Sequence, residues 1–190
     1  ALFQAAWSPE FFRQAGEDGK PADGTGLQGL YQIGGYFFGG YDGLTDYSGG
    51  TRGNGYGLWI QGQQMVWRDP GAPYRYASVW AGMQYSPVQS VSTMPWMVYG
   101  GIQLQGFVPH RSQDGFYFSW LYGSFNSNYG YGKGAASYSA TYEMVVEATY
   151  VIQLNEHISI QPDMQYIFRP NGNSDLDDAL VLGGQLIVSF

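Results

Sequence analysis

The chain has 190 residues, a formal net charge of −7 with only 8 Lys and Arg residues, and no cysteine. The scarcity of basic residues argues against nucleic-acid binding, and the lack of cysteine excludes a disulfide scaffold and thiolate metal sites. Aromatic residues make up 18% of the chain and charged residues only 12%. That balance would leave a water-soluble protein poorly soluble, but it suits a transmembrane β-barrel. The sequence has no run of about 20 apolar residues and therefore predicts no transmembrane helix.

The first third of the chain predicts a partial strand and then two full strands. Residues 1–12 predict a partial leading strand, and a full strand follows at about 29–38. Residues 39–56 are rich in glycine and predict a long loop. The next strand, at about 57–68, alternates between apolar and polar positions until Gln64 interrupts the pattern. A β-bulge or a contact in an oligomer would explain the interruption.

The middle of the chain predicts four more strands of the same kind. Apolar and polar residues alternate along each of them, so each strand has one apolar and one polar face. One face of the third of these strands is entirely aromatic, which hints at a contact between subunits. The predicted strands lie at about 76–86, 96–106, 116–124 and 142–154.

The last residues predict a closing hairpin. The strand at about 158–168 and the strand that ends the chain both alternate strictly, and Phe190 is in phase with the apolar face. The connections predicted between all strands fall into two classes, because alternate connections are short and the others are mostly long. The short ones are 69–75, 108–115 and 155–157, and the long ones are 39–56, 87–95, 125–141 and 169–178.

Eight strands of about 9 to 12 residues with connections sorted in this way predict an all-β, antiparallel, transmembrane β-barrel of a bacterial outer membrane. A soluble β-sandwich has the same alternation, but it has no reason to sort its connections by length. The partial leading strand makes the count odd, which does not suit a bacterial barrel made by one chain. We therefore expect residues 1–190 to be one domain that is the C-terminal part of a larger barrel, or that another chain completes.

Four segments resemble the carbohydrate-selective porin (OprB) family. They are Leu30–Tyr36, Gly57–Arg68, Ser159–Pro170 and Asp178–Phe190, and the segment Gln-Pro-Asp-x-Gln-Tyr at 161–166 is the most specific among them. The resemblance implies half of a sixteen-stranded outer-membrane pore that passes sugars such as glucose by diffusion. It also implies contact with membrane lipid and lipopolysaccharide, and an assembly of several copies is possible for porins of this size.

If the apolar face meets lipid, the polar face lines a water-filled lumen. Its amides and carboxylates can donate and accept hydrogen bonds, as the hydroxyls of a sugar require. A solvated wall without specific binding is the simpler interpretation of the same residues. We also expect two arginines to line the pore and to pair with Glu143 and Glu147. The predicted pore-lining residues are Gln61, Gln63, Arg68, Gln103, Gln105, Glu143, Glu147, Gln153, Gln161, Asp163, Gln165 and Arg169.

Aromatic residues on the same face are candidates for stacking on sugar rings: Trp59, Trp67, Trp80 and Tyr99. For Trp59 and Trp67, packing within the wall or a misassigned face is an equally good interpretation. Two carboxylates near each other also suggest a glycosidase, but a wide wet wall gives no desolvated acid, so we predict no enzyme activity. No metal or cofactor site is predicted. The alternatives to a sugar porin are a structural or secretion-associated barrel and an outer-membrane hydrolase, which would need a Ser–His pair at the rim.

Overall fold

The computed structural model describes residues 1–15, 20, 24–46, 50–126, 130–131 and 138–189. They form one 10-stranded antiparallel sheet in which nine strands follow each other in chain order, and the short strand Glu10–Phe11 pairs beside them with the strand Leu27–Thr45. Two further short strands, Gly130–Tyr131 and Tyr138–Ser139, pair with each other in a separate two-stranded sheet. The strands are β1 (Leu2–Trp7), β2 (Glu10–Phe11), β3 (Leu27–Thr45), β4 (Thr51–Asp69), β5 (Ala72–Tyr85), β6 (Trp96–Gln105), β7 (Gly115–Ser124), β8 (Gly130–Tyr131), β9 (Tyr138–Ser139), β10 (Tyr142–Gln153), β11 (Ile158–Phe168) and β12 (Ala179–Val188).

The sheet is a meander, as the predicted barrel requires. Within the described part of the chain, β1 pairs only with β3 and β12 pairs only with β11, so these two strands are the open edges of the sheet. The prediction of an antiparallel all-β fold with a leading partial strand is confirmed. No helix among the described residues is long and apolar enough to span a membrane.

Nothing in the described part of the chain packs against the apolar face of the sheet. Ile160, Met164 and Val188 are 39%, 49% and 46% exposed, and they belong to one face of the closing hairpin. Among the described residues only Met65 and Ala140 are buried hydrophobic side chains. An apolar surface of this extent is stable only against lipid hydrocarbon or a partner protein. Phe190, which the alternation also assigns to this face, lies outside the described residues.

The predicted loop at 39–56 is wrong. β3 continues to Thr45 and β4 begins at Thr51, with a register shift between Gly39 and Leu44. The glycines that indicated a loop leave room for aromatic rings, because Phe38 lies where a side chain at Gly55 would stand. The sorting of connections is accordingly only partial. One end, the loop end, carries 46–50, 86–95, 125–141 and 169–178, and the other, the turn end, carries 70–71, 106–114 and 154–157.

A β-bulge in β4 explains the irregularity at Gln64. The register with β5 shifts between Met65 and Trp67, so that Trp67 pairs with Ala77 on the apolar face. Gln64 also lies on the apolar face, where its amide donates to the carbonyl oxygens of Leu27 at 3.1 Å and Met65 at 2.9 Å. Its carbonyl accepts the Tyr31 hydroxyl at 3.0 Å. These bonds satisfy a polar side chain that would otherwise be costly in hydrocarbon.

The 106–114 turn is fastened to β10 through Asp114, whose side chain is only 4% exposed. Its carboxylate accepts hydrogen bonds from Arg111 Nε at 2.8 Å, the Tyr150 hydroxyl at 2.9 Å and the Gln153 backbone N–H at 3.0 Å. Burial alone would raise the pKa of Asp114, but these hydrogen bonds and the charge of Arg111 outweigh it and hold the pKa below its ordinary value. The same ion pair raises the pKa of Arg111. Asp114 therefore stays charged and closes the turn end.

Candidate transport site on the polar face

The polar face of β3 to β6 carries a connected row of side chains. Gln32, Gln61, Gly82 and Tyr99 pair in register across these four strands. Gln61 Nε2 donates to Gln32 Oε1 at 2.6 Å, and the Tyr99 hydroxyl donates to Gln61 Oε1 at 3.1 Å. The alternation of β4 thus brings a predicted amide, Gln61, and a predicted aromatic residue, Tyr99, into one network.

A second amide network lies nearer the turn end. Gln103 Nε2 on β6 donates to the hydroxyls of Tyr76 on β5 at 3.1 Å and Tyr117 on β7 at 3.2 Å. These two tyrosines were not among the predicted pore-lining residues. Both are in phase with the polar positions of their strands, so the alternation alone could have found them.

Three predicted aromatic side chains lie flat against the wall. A Cβ added at Gly82 would stand 2.5 Å from the Tyr99 ring, and one at Gly101 would stand 2.9 Å from Trp80. The Trp59 indole fills the corresponding space over Gly34. Each ring therefore covers a glycine of the neighbouring strand with one side and leaves its other side toward the lumen. Trp80 and Tyr99 also contact each other, with ring centroids 6.0 Å apart.

The polar face has two small concavities lined by its amides, and two of the flat rings line the first of them. One, of about 140 Å³, is lined by residues that include Gln61, Gln63, Trp80 and Tyr99. The other, of about 210 Å³, is lined by residues that include Gln63 and Tyr76. A larger groove of about 760 Å³ is bordered mainly by apolar-face residues such as Ile33, Ile60 and Met83, and it belongs to the lipid side.

The acidic residues lie on β10 and β11, apart from this amide and aromatic region. Glu147 accepts the Thr149 hydroxyl at 3.0 Å, and the carboxylate of Asp163 lies over Gly183. Glu143 accepts the Asn171 N–H at 2.6 Å and so holds the 169–178 loop. Among the residues that the structure describes, no ion pair joins Glu143 or Glu147 to an arginine.

Among the described residues neither predicted arginine forms an ion pair with Glu143 or Glu147, so the expected pairing is wrong. Arg68 itself stays on the polar face, where it pairs in register with Tyr76. Arg68 donates to the Gly24 carbonyl oxygen at 3.1 Å, at the turn end. Arg169 lies 4.5 Å above the Tyr142 ring and donates to the Thr141 hydroxyl at 3.2 Å. Tyr142 belongs to an aromatic row on the apolar face at the loop end, where aromatic girdles meet lipid headgroups. Arg169 therefore sits at the rim.

The remaining predicted pore-lining residues lie on β6, β10 and β11. Gln165 pairs with Glu147, and Gln161 pairs with Gln185 on the polar face. Gln105 pairs in register with Gly115. Gln153 turns toward the 154–157 turn, where its amide donates to the Asn155 carbonyl oxygen at 2.6 Å.

Trp67 is the one predicted stacking residue that lies on the wrong face. The β4 bulge turns it to the apolar side, where its ring centroid lies 5.6 Å from that of Phe107 and 42% of the residue is exposed. It cannot touch a solute in the lumen.

An antiparallel meander with one exposed hydrocarbon face and one amide-rich polar face has the arrangement of an outer-membrane β-barrel wall. The chain belongs to the carbohydrate-selective porin family, OprB, whose sequence profile matches residues 2–190, and it is an outer-membrane protein. The fold is similar to that of OprB from Pseudomonas putida in a structure determined at high pH, with a TM-score of 0.79 at 21% sequence identity. That match covers 100% of this chain and 48% of the other, so this chain spans about half the length of its solved relative. Comparison with curated proteins found no significant match.

Proposed function

We propose that this chain forms part of the wall of a pore through which small sugars such as glucose cross the outer membrane by passive diffusion. The observation that carries the proposal is the region on β3 to β6 where Gln61, Trp80 and Tyr99 meet at one concavity. The family profile, which describes carbohydrate-selective porins, supports the same substrate class.

The chemistry of this region fits a sugar better than an ion. An amide offers a donor and an acceptor, so Gln32, Gln61 and Gln63 can each meet a hydroxyl in either role. The flat rings of Trp80 and Tyr99 offer apolar area to the C–H side of a sugar ring. Neither group carries a charge, and neutral contacts at several sites bind weakly enough for a solute to leave again.

The proposal includes no chemical step. Glu143 is occupied by the Asn171 N–H and Glu147 by the Thr149 hydroxyl. Both lie on a hydrated wall, where a carboxyl group lacks the apolar surroundings that a general acid needs. The family is one of channels, and passage through a channel needs no catalyst.

The open edges of the sheet call for further strands. In hydrocarbon the unpaired N–H and C=O groups of β1 and β12 would cost several kcal/mol each, so a spanning sheet must close. We propose that strands from the rest of a longer chain, or from another chain, complete the barrel. Lipid and lipopolysaccharide would cover its apolar face, and association of several barrels would cover part of it.

Conductance measurements on matched tryptophan variants test the function. Trp80→Ala removes a flat ring from the polar face, whereas Trp120→Ala removes the same side chain from the apolar face, where it is 38% exposed. Glucose is expected to reduce the single-channel current of the wild type. In Trp80→Ala the apparent affinity for glucose is expected to weaken roughly two- to tenfold, equivalent to about 0.5–1.5 kcal/mol for an aromatic contact.

The control and the alternatives give distinct results. Trp120→Ala is expected to keep the wild-type response. A current that glucose leaves unchanged while small organic acids reduce it would contradict a sugar pathway. A barrel with no current at all would favour a structural role instead.

A further inference from the structure

The connection between β5 and β6, residues 86–95, folds over the polar face of the sheet; we call it the inner loop. Its Met94 side chain occupies the space that a Cβ at Gly123 would need. Gly123 pairs with Met97 and Glu143 on the polar face. Met94 therefore lies on the lumen side of the wall, over β7, and not beyond the end of the sheet.

The two ends of the inner loop are bound to each other and to β3. The Ser86 N–H donates to the Pro95 carbonyl oxygen at 2.6 Å. The Ser86 and Tyr36 hydroxyls lie 2.9 Å apart and share a hydrogen bond. Tyr36 reaches this position across β4, because its ring lies over Gly57. Ser86 is only 5% exposed, so the base of the loop is a buried attachment.

Asn126, just after β7, holds the middle of the inner loop. Its backbone N–H donates to the Thr93 carbonyl oxygen at 2.9 Å. Its side-chain amide donates to the carbonyl oxygens of Gln89 and Ser92. Asn126 is 4% exposed, and a buried amide with all these bonds made fixes its partners strongly. The loop is therefore a built part of the wall.

The composition of the inner loop is unusual for a surface segment of this length. It contains no Asp, Glu, Lys, Arg or His, and half of its residues carry a hydroxyl or an amide. Such a segment can donate and accept hydrogen bonds without creating a fixed field.

We propose that the inner loop narrows the pore at the loop end, and that Met94 stands at the narrowing. The uncharged loop sets the size limit for neutral solutes, while the acidic residues of β10 and β11 lie on the wall beside it. The inference rests on the proposed function only in requiring an open pore. The conductance of a sugar-free salt solution reports the narrowing whether or not sugars pass, so by that measurement the two proposals fail separately.

Shortening Met94 tests the size limit. Met94→Ala removes most of the side chain and leaves the loop anchors intact. Its sugar-free conductance is expected to rise above that of the wild type. In liposome-swelling assays the discrimination between disaccharides and trisaccharides is expected to be lost. Met97→Ala is the matched control, because Met97 lies on the polar face of β6. It is expected to change the conductance and the sugar discrimination less than Met94→Ala does. Equal effects of the two variants, or no effect of either, would overturn the proposal that Met94 narrows the pore.

Charges at the same position test whether ions pass close to Met94. Met94→Lys is expected to shift the reversal potential in a salt gradient toward anion preference, and Met94→Glu toward cation preference. The same substitutions at Ser112, an exposed residue of the turn end, serve as controls. Shifts no larger than those of the Ser112 variants would place the ion path away from the inner loop and overturn the proposal, even if glucose still reduced the current.

Discussion

Replacing Asp114 by Asn is expected to weaken the fold by about 2–4 kcal/mol. Asn keeps the oxygen that accepts the Gln153 N–H, but it presents an NH₂ group where the carboxylate accepts Arg111 Nε at 2.8 Å and the Tyr150 hydroxyl at 2.9 Å. A hydrogen bond to a charged group contributes about 1.5–3 kcal/mol. The bond from Arg111 is lost, whereas the Tyr150 hydroxyl can turn and accept from the NH₂ group, so that bond loses only the contribution of the charge. We also reduce the cost because solvent reaches Arg111, which is 36% exposed.

The pH dependence of the free energy of unfolding distinguishes a charge effect of Asp114 from a packing effect. Because the pKa of Asp114 is depressed in the folded protein, its contribution is fully present above the ordinary carboxyl pKa of about 3.9. It is lost as the pH falls from there through the lower pKa of the folded state. The wild type is therefore expected to lose stability in this range, and Asp114→Asn is expected to lose less.

The assay is urea unfolding of the protein in lipid vesicles, followed by tryptophan fluorescence. The matched control is Asp69→Asn, which removes the charge from a more exposed ion pair with Arg75 at 3.3 Å. That variant is expected to cost less than about 1 kcal/mol. If Asp114→Asn costs no more than Asp69→Asn, or if its stability follows the wild-type pH dependence below pH 4, the account of this turn is wrong.

Two further predictions test the faces of the sheet. Ile60→Lys is expected to destabilise the protein in vesicles by about 2–4 kcal/mol because it puts a charge into hydrocarbon. Gln61→Lys, at the next residue and on the polar face, is expected to cost much less. Equal costs in urea unfolding would refute the assignment of Ile60 to the lipid side. Gly82→Val is expected to lift the Tyr99 ring and to weaken the effect of glucose on the current. Gly184→Ala, which has open space around its added Cβ, is expected to leave that effect unchanged. An undiminished glucose response of Gly82→Val would show that the flat rings do not bind glucose.

The period-two alternation was enough to predict the strands and both faces, because each strand meets two different solvents along its whole length. It failed where the backbone departs from that period. Gln64, Met65, Val66 and Trp67 form a run in which either phase is plausible, and only the register with β5 shows which phase continues. The glycines of 39–56 indicated a loop because glycine favours turns, but most of this segment is strand, and Gly55 lies under the Phe38 ring of the adjacent strand.

The candidate site was predictable in its residue types and not in its connections. Gln61 and Tyr99 were selected separately, and nothing local indicates that they lie two strands apart in one network. Residues 87–95 were predicted only as a long connection, because the attachment of the inner loop depends on Asn126, a residue distant in the sequence. Arg169 was predicted to line the pore, but a left-handed backbone at φ 50° turns it to the rim.

The pairing of each main strand with its neighbours in the sequence has a consequence for biogenesis. No long-range segment has to be found before a hairpin can form, so loop-closure entropy stays small at every step except the last one that seals the cylinder. Assembly can then proceed by adding one hairpin after another to the growing sheet. A defect in one turn, such as that at Asp114, should delay the hairpins joined through it and spare those already formed.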